Sequence, residues 1–176
     1  MVNRADVLEQ LSVTLADVEA FYADLDEAEM VRPITESAVH GEQDWSAKDH
    51  LAHLVDVEVT FRAVVERSLE GDPDPAGMAT VTSVAEAISR QNQVNARTVV
   101  ERRAATPTEL MQSLRQARTL TLALVESTSD TQLASRVPGA PWGDGSVAGV
   151  LSTIAGHHGR HLVQLRTSLE RRLDEG

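Results

Sequence analysis

The sequence predicts an all-α protein, a four-helix bundle formed by a single domain that spans residues 1–176. Three observations support this prediction. Apolar residues recur at three- and four-residue steps in five segments, which is the spacing of one buried helix face. No segment shows the alternation expected of a strand. Aromatic residues make up only 3% of the chain, so the core consists of Leu, Val, Ile and Ala, which suits helix-on-helix packing.

The first two predicted helices flank a loop. The periodicity places the first helix from residue 4 to about residue 29, and residues 31–44 are predicted to be a loop because they contain Pro, Gly and scattered polar residues. Ser46 and Asp49 have the spacing of a capping box, and Trp45 stands where a hydrophobic staple would. A second helix is therefore predicted from this cap to about residue 70, where the GDPDPAG segment ends it.

Three further helices complete the prediction. A capping box at residues 83–86 begins a third helix that continues to about residue 103. The Thr-Pro-Thr-Glu segment at residues 106–109 combines an N-cap, a first-turn proline and a capping Glu, and begins a fourth helix. A short turn at residues 129–133 and an irregular loop at residues 137–145 follow. Ser146 then caps a last helix that extends to about residue 173.

Charge and composition exclude several classes of function. The net charge of −11 opposes binding to nucleic acid or to anionic lipid surfaces. No run of about 18 apolar residues occurs, and the first residues lack the apolar region of a signal peptide, so we expect a cytoplasmic protein without a membrane partner. The chain has no cysteine, which excludes disulfides, thiolate metal ligands and a cysteine nucleophile. Any thiol in its chemistry must come from outside.

Five of the six histidines fall into two clusters, one in the second predicted helix and one in the last. His157 and His161 are four residues apart, so their imidazoles project from one helix face and can bind one metal ion. Either His50 or His53 could supply a third ligand. On a helical wheel His50 lies well inside the apolar stripe, and His53 lies at its edge, where a cleft can reach a metal. This favours His53. His158 falls nearer the middle of its own stripe.

The competing interpretation is that each histidine only packs in the core or lies at the surface, which is the commoner role of a single histidine. Clustering favours metal binding for His53, His157 and His161 taken together. Gln91 and Asn95 share a helix register and are candidates for contact with the metal ligands or a substrate. The alternative is partial exposure at a helix margin, which we favour for Gln91. Gln164 follows His161 by three residues and is a candidate for the same role, with an ordinary surface contact as the alternative.

Two motifs resemble those of a known family. The segment WSAKDHLAHL at residues 45–54 and the pattern HxxxHxxQ at residues 157–164 are similar to motifs of the DinB-like (DinB/YfiT) superfamily of metalloenzymes. That superfamily also includes the N-terminal domain of mycothiol-dependent maleylpyruvate isomerase. The resemblance covers nearly the whole chain. It implies an up-down-down-up four-helix bundle and a divalent metal held by His53, His157 and His161. The isomerase-like branch has Glu where this chain has His157, so the chain is more similar to the three-histidine members.

The predicted chemistry follows from a metal held by neutral imidazoles. Such a site leaves a coordination position open, and it favours zinc without excluding nickel, iron or manganese. The metal would activate a thiol, and since the superfamily includes thiol S-transferases, the resemblance implies transfer of a mycothiol-like compound to a small-molecule electrophile. Metal-assisted hydrolysis and a noncatalytic metal- or ligand-binding stress-response bundle are the alternatives. A homodimer formed through an exposed bundle face also agrees with the sequence.

Overall fold

The computed structural model describes residues 3–36 and 44–174, without the side chains of residues 172–174. Over these residues the protein is all-α apart from one short β-ribbon, as predicted. Four long helices form the bundle: α1 (Arg4–Ala23), α3 (Ala47–Leu69), α5 (Pro107–Ser127) and α7 (Val147–Asp174). The three remaining helices of the described residues are α2 (Glu27–Val31), α4 (Val84–Glu101) and α6 (Asp130–Ala134). None of the described helices is both long enough and apolar enough to cross a lipid bilayer.

Hydrogen bonds between helices show their directions. Arg4 at the start of α1 donates to the carbonyl of Val125 near the end of α5 at 2.6 Å, so these two helices are antiparallel. The Tyr22 hydroxyl at the end of α1 donates to the Ala47 carbonyl at the start of α3 at 2.8 Å. Helices α3 and α5 therefore run in the same direction. His50 and His53 of α3 contact His161 and His157 of α7 in reverse order, so α7 is antiparallel to α3 and the order is up-down-down-up.

Helix α4 is the long crossover that this order requires. Two consecutive bundle helices can be parallel only if the chain returns along the bundle between them. Helix α4 does this on the outside of α3, where Arg102 just beyond its end pairs with Asp56 of α3 at 2.7 Å. Only Ala96 and Val99 of α4 are buried, so the helix covers α3 without becoming part of the core.

The structure corrects the prediction for the first part of the chain. The first helix ends at Ala23 instead of continuing to about residue 29, because Asp26 forms a new capping box that begins α2. The predicted loop at residues 31–44 contains the strand β1 (Pro33–Thr35), which pairs antiparallel with β2 (Trp45–Ser46). Strands of three and two residues are too short to show an alternating pattern. Residues 37–43 lie outside the described part of the chain.

The predicted caps are mostly confirmed. Ser46 and Asp49 form a reciprocal capping box at the start of α3. At the start of α4, Ser83 accepts from the backbone of Glu86, but the Glu86 carboxylate accepts from Thr82 instead of closing the box. The turn predicted at residues 129–133 is the short helix α6. These caps fix where each bundle helix begins, and hence which residues face each other across the bundle.

A polar layer divides the core. Two clusters of buried apolar residues occupy the two halves of the bundle, and between them lie Glu58 of α3, Arg118 of α5 and His158 of α7, all at 0% exposure. Arg118 binds both carboxylate oxygens of Glu58 at 2.9 and 2.7 Å and also donates to the Leu11 carbonyl of α1. The layer therefore links all four bundle helices at one level.

Candidate metal centre

Two antiparallel helices bring the predicted metal ligands together. His53 lies on α3, and His157 and His161 lie one turn apart on α7. Nε2 of His157 is 2.9 Å from Nε2 of His53 and 3.0 Å from Nε2 of His161. His53 is buried, while the other two residues are half-buried. Three ring nitrogens from two helices thus converge at a point on the bundle that solvent can reach.

The donor set fits a divalent cation. Zinc binds imidazole nitrogens at about 2.0–2.1 Å, so two tetrahedral ligands lie about 3.3 Å apart. The separations of 2.9 and 3.0 Å need to open by only a few tenths of an ångström, and the ligand nitrogens of His53 and His161 lie within 4.8 Å of each other. The buried Nδ1 of His53 has no hydrogen-bond partner among the described residues, and the hydrogen-bonding contact of this ring is made by Nε2 with His157. These three residues could hold a metal ion.

The surroundings keep the imidazoles neutral, which is the form that binds metal. Burial, followed by the neighbouring His161 and His157, lowers the pKa of His53 to about 2. The same causes lower the pKa of His50 to about 3. Burial is also the first cause of the lowered pKa of His157, which falls to about 3, and of His161. At neutral pH the cluster therefore offers lone pairs without first losing protons.

One contact must change when His157 binds through Nε2. The guanidinium of Arg160 lies 3.4 Å from Nδ1 of His157, an arrangement in which Nδ1 accepts and the ring proton is on Nε2. Binding a cation through Nε2 moves that proton to Nδ1, so Arg160 has to turn away. Arg160 is exposed, and such a movement disturbs no packing.

His50 also belongs to this cluster, which the sequence prediction left open. Its Nδ1 lies 3.1 Å from Nδ1 of His161, on the side of that ring away from His157. Its Nε2 lies 2.7 Å from the Thr35 hydroxyl of β1. The Trp45 ring packs against both His50 and His53, with centroid distances of 5.2 and 5.3 Å. The short β-ribbon, which the sequence did not predict, therefore forms one wall of the centre.

Of the three predicted supporting residues, one contacts a predicted metal ligand and the other two contact each other. Gln164 is exposed and its Oε1 lies 3.2 Å from Nδ1 of His161, so it contacts a predicted ligand. Gln91 is exposed, Asn95 is half-buried, and they hydrogen-bond to each other at 2.8 Å. Within the described residues no hydrogen bond joins either of them to the histidines. Their role at the centre stays a prediction.

His158 lies beside the centre but has no free ring nitrogen. Its Nε2 donates to the Leu54 carbonyl at 3.2 Å, and its Nδ1 accepts from Arg118 at 3.1 Å. Sequence reasoning placed His158 in the apolar stripe but missed the polar layer. The available signal was Glu58, which interrupts the apolar spacing between Leu54 and Phe61.

The fold and this centre define a class: four-helix bundles in which histidines of two long helices converge on a potential metal position. The chain belongs to the DinB superfamily, whose family model matches residues 10–165. No curated protein matches the chain. An uncharacterised protein from Escherichia coli UTI89 has a similar structure, with a TM-score of 0.75 at 11% identity over 98% of this chain and 95% of that one. At this identity the likeness concerns the fold alone.

Proposed function

We propose that the protein is a divalent-metal-dependent enzyme that transfers a low-molecular-weight thiol to an electrophilic small molecule. The observation that carries the proposal is the convergence of one ring nitrogen from each of His53, His157 and His161 within 4.8 Å of one another. Zinc is the favoured metal, because three imidazoles with at least one open position are typical of catalytic zinc sites. Nickel, iron and manganese remain alternatives.

The protein's own part in this chemistry is to supply neutral ligands and an accessible face. Histidine ligands leave the charge of the cation undiminished, and a divalent cation bound there would act as a Lewis acid that favours loss of the thiol proton. His157 and His161 are half-buried, which leaves room for a substrate on their side. His53 is buried, and the half-buried Trp45 ring packs against it.

The thiol has to be a separate compound, because the chain contains no cysteine. In the transfer the thiol loses its proton to solvent, its sulfur forms a bond to the electrophilic carbon, and the leaving group departs with the bonding electron pair. An open surface groove of about 480 Å³ has a polar lining that includes Thr35, Gln164, Ser168 and Arg171, and it adjoins the centre through the contact of Gln164 with His161. Such a lining suits the polar body of a mycothiol-like cofactor.

Metal analysis of untagged protein tests the first half of the proposal. We expect about one equivalent of metal, and we expect added Zn²⁺ to raise the melting temperature of metal-free protein. Less than about half an equivalent, together with no thermal shift from zinc, nickel, iron or manganese, would refute metal binding.

An activity screen tests the second half. Metal-loaded protein is incubated with a panel of electrophiles and with mycothiol, bacillithiol or glutathione, and conjugates are detected by mass spectrometry. We expect conjugates that disappear in His161→Ala and persist in Gln112→Ala, a control at an exposed position of α5. Metal binding without conjugates would support a noncatalytic bundle. Products that form without thiol would indicate a metal-dependent hydrolase.

A further inference from the structure

A fourth histidine lies in a position to control one of the three ligands. His50 is 1% exposed and occupies the apolar side of α3, yet both of its ring nitrogens have polar neighbours. Nδ1 lies 3.1 Å from Nδ1 of His161, and Nε2 lies 2.7 Å from the Thr35 hydroxyl. Hydrogen-bond partners are expected for any buried imidazole, but here one of the two partners is a predicted metal ligand.

We propose that His50 is a positioning residue that holds His161 in the tautomer and ring orientation needed to bind metal through Nε2. This inference rests on the metal centre of the proposed function and adds a residue to it. His50 itself is not a ligand, because its near nitrogen faces Nδ1 of His161 and not the point where the three Nε2 atoms converge.

The direction of each hydrogen bond follows from the metal. A neutral His161 that binds through Nε2 carries its proton on Nδ1, so Nδ1 donates to Nδ1 of His50. His50 then carries its own proton on Nε2 and donates to the Thr35 hydroxyl. That hydroxyl lies 3.5 Å from the Trp45 carbonyl, the next acceptor along β2. Each group in this chain of hydrogen bonds therefore donates to the next, from the metal ligand His161 through His50 to Thr35 of the β-ribbon.

Gln164 is the competing partner of His161. Its Oε1 lies 3.2 Å from the same Nδ1. However, Gln164 is exposed and belongs to the same helix as His161, so it cannot tie that ring to another helix. Water can replace an exposed amide, whereas nothing replaces a buried imidazole. His50 also links α3 to α7, so it fixes the His161 ring relative to His53. We therefore expect His50 to contribute more to metal affinity than Gln164.

The zinc affinity of the full chain tests whether His50 contributes more than Gln164. It is measured by competition with a chromophoric chelator. Partners of this kind typically change metal affinity 10- to 100-fold. We expect His50→Leu to weaken Zn²⁺ binding by about that factor and Gln164→Ala to weaken it less than about threefold. In His50→Asn the side-chain oxygen can accept from His161 in place of Nδ1, so this variant should recover most of the affinity. Circular dichroism confirms that each variant folds.

The tautomers provide a readout that a packing role would not change. In zinc-loaded protein, long-range ¹H–¹⁵N spectra should show His50 with its proton on Nε2 and His161 with its proton on Nδ1. His158 is an internal reference, because its Nε2 donates to a carbonyl whether or not metal is bound. In His50→Leu we expect the His161 resonances to broaden as its ring loses its fixed partner.

The outcomes separate this inference from the proposed function. Unchanged zinc affinity in His50→Leu, or a His50 proton on Nδ1 in the zinc-loaded protein, would overturn the positioning role while the wild type still binds zinc. Absence of zinc binding by the wild type would overturn the metal centre and the positioning role together. Equal weakening in His50→Leu and His50→Asn would also overturn it, since packing and not the acceptor would then be responsible.

Discussion

Replacement of His53 by leucine should make the metal-free protein more stable and abolish its response to metal. His53 is 2% exposed and lies in an apolar stretch of α3, where leucine has a similar size and no polar atoms. The substitution removes a buried Nδ1 that has no partner among the described residues. It also removes the contact of Nε2 with His157 at 2.9 Å. If His53 instead had a structural role, its replacement by leucine would make the metal-free protein less stable.

The magnitude has a constant part and a pH-dependent part. Loss of a hydrogen bond costs about 1 kcal/mol, and removal of a buried unsatisfied group gains about 1–3 kcal/mol, so the variant should be up to about 2 kcal/mol more stable near pH 7.5. The pKa of His53 is lowered from 6.5 to about 2, so the unfolded state alone binds a proton as pH falls below 6.5. At about pH 5.5 this costs the wild type roughly 1.4 kcal/mol more, which leucine avoids.

Urea unfolding with a chelator at both pH values measures these differences, and the same experiment with free Zn²⁺ tests the metal. At about 100 times its dissociation constant, zinc should stabilise the wild type by about 2.7 kcal/mol and leave His53→Leu unchanged. The matched control is His50→Leu, because the pKa of His50 is also low, about 3, and the three ligands remain. It should share the pH effect and keep a smaller zinc response of about 0.4–1.4 kcal/mol, because the expected 10- to 100-fold loss of affinity lowers the saturation. A stability difference that does not change with pH, or equal zinc responses in His53→Leu and wild type, would refute the reasoning.

Three further substitutions test the scaffold by urea or thermal unfolding. Arg118→Met leaves the buried Glu58 carboxylate without its bidentate partner and should lower the free energy of unfolding by about 3–5 kcal/mol. Adding Glu58→Gln to this variant removes the unpaired charge and should recover part of the loss. If nothing is recovered, the unpaired charge is not the cause. Gly143→Ala places a methyl group 2.5 Å from the Gly149 carbonyl at a φ of +59°, so we expect a loss of more than about 1 kcal/mol, and an unchanged melting temperature would contradict that loop geometry. Tyr22→Phe removes a buried hydrogen bond to a backbone carbonyl and should cost about 1 kcal/mol, whereas a neutral result would show that water replaces it.

The fold could be predicted where its signals are local. Helix periodicity and the Ser46–Asp49 capping box depend on residues within one or two turns, and the structure confirms both. The β-ribbon could not be predicted, because a pair such as Thr35 and Trp45 is defined by contact across a loop and not by a pattern within either strand. The break between α1 and α2 was missed because apolar residues continue in register across Asp26.

For the centre, spacing within α7 predicts the pair His157 and His161, but the choice between His50 and His53 depends on how α3 crosses α7. Neither helix contains that information alone. The structure shows that both histidines approach His161, from different sides of its ring. A single wheel ranks residues by depth only, so it could favour His53 for access and still miss that His50 is a neighbour of the same ligand.

The two buried polar groups of this bundle differ in a way that separates a structural cluster from a site. In the polar layer every charge has a partner among the described residues: Arg118 binds Glu58, a backbone carbonyl and His158, which engages four of its five N–H donors. In the histidine cluster, nitrogens converge on one another and Nδ1 of His53 has no partner among the described residues. The lowered pKa of His53 also predicts a loss of stability in acid. Leucine and valine at these positions would pack without any of these costs. Local features that conflict with stability are expected where a protein acts on something else. A cation that accepts the three Nε2 lone pairs would account for the convergence of the nitrogens, while Nδ1 of His53 would keep its proton.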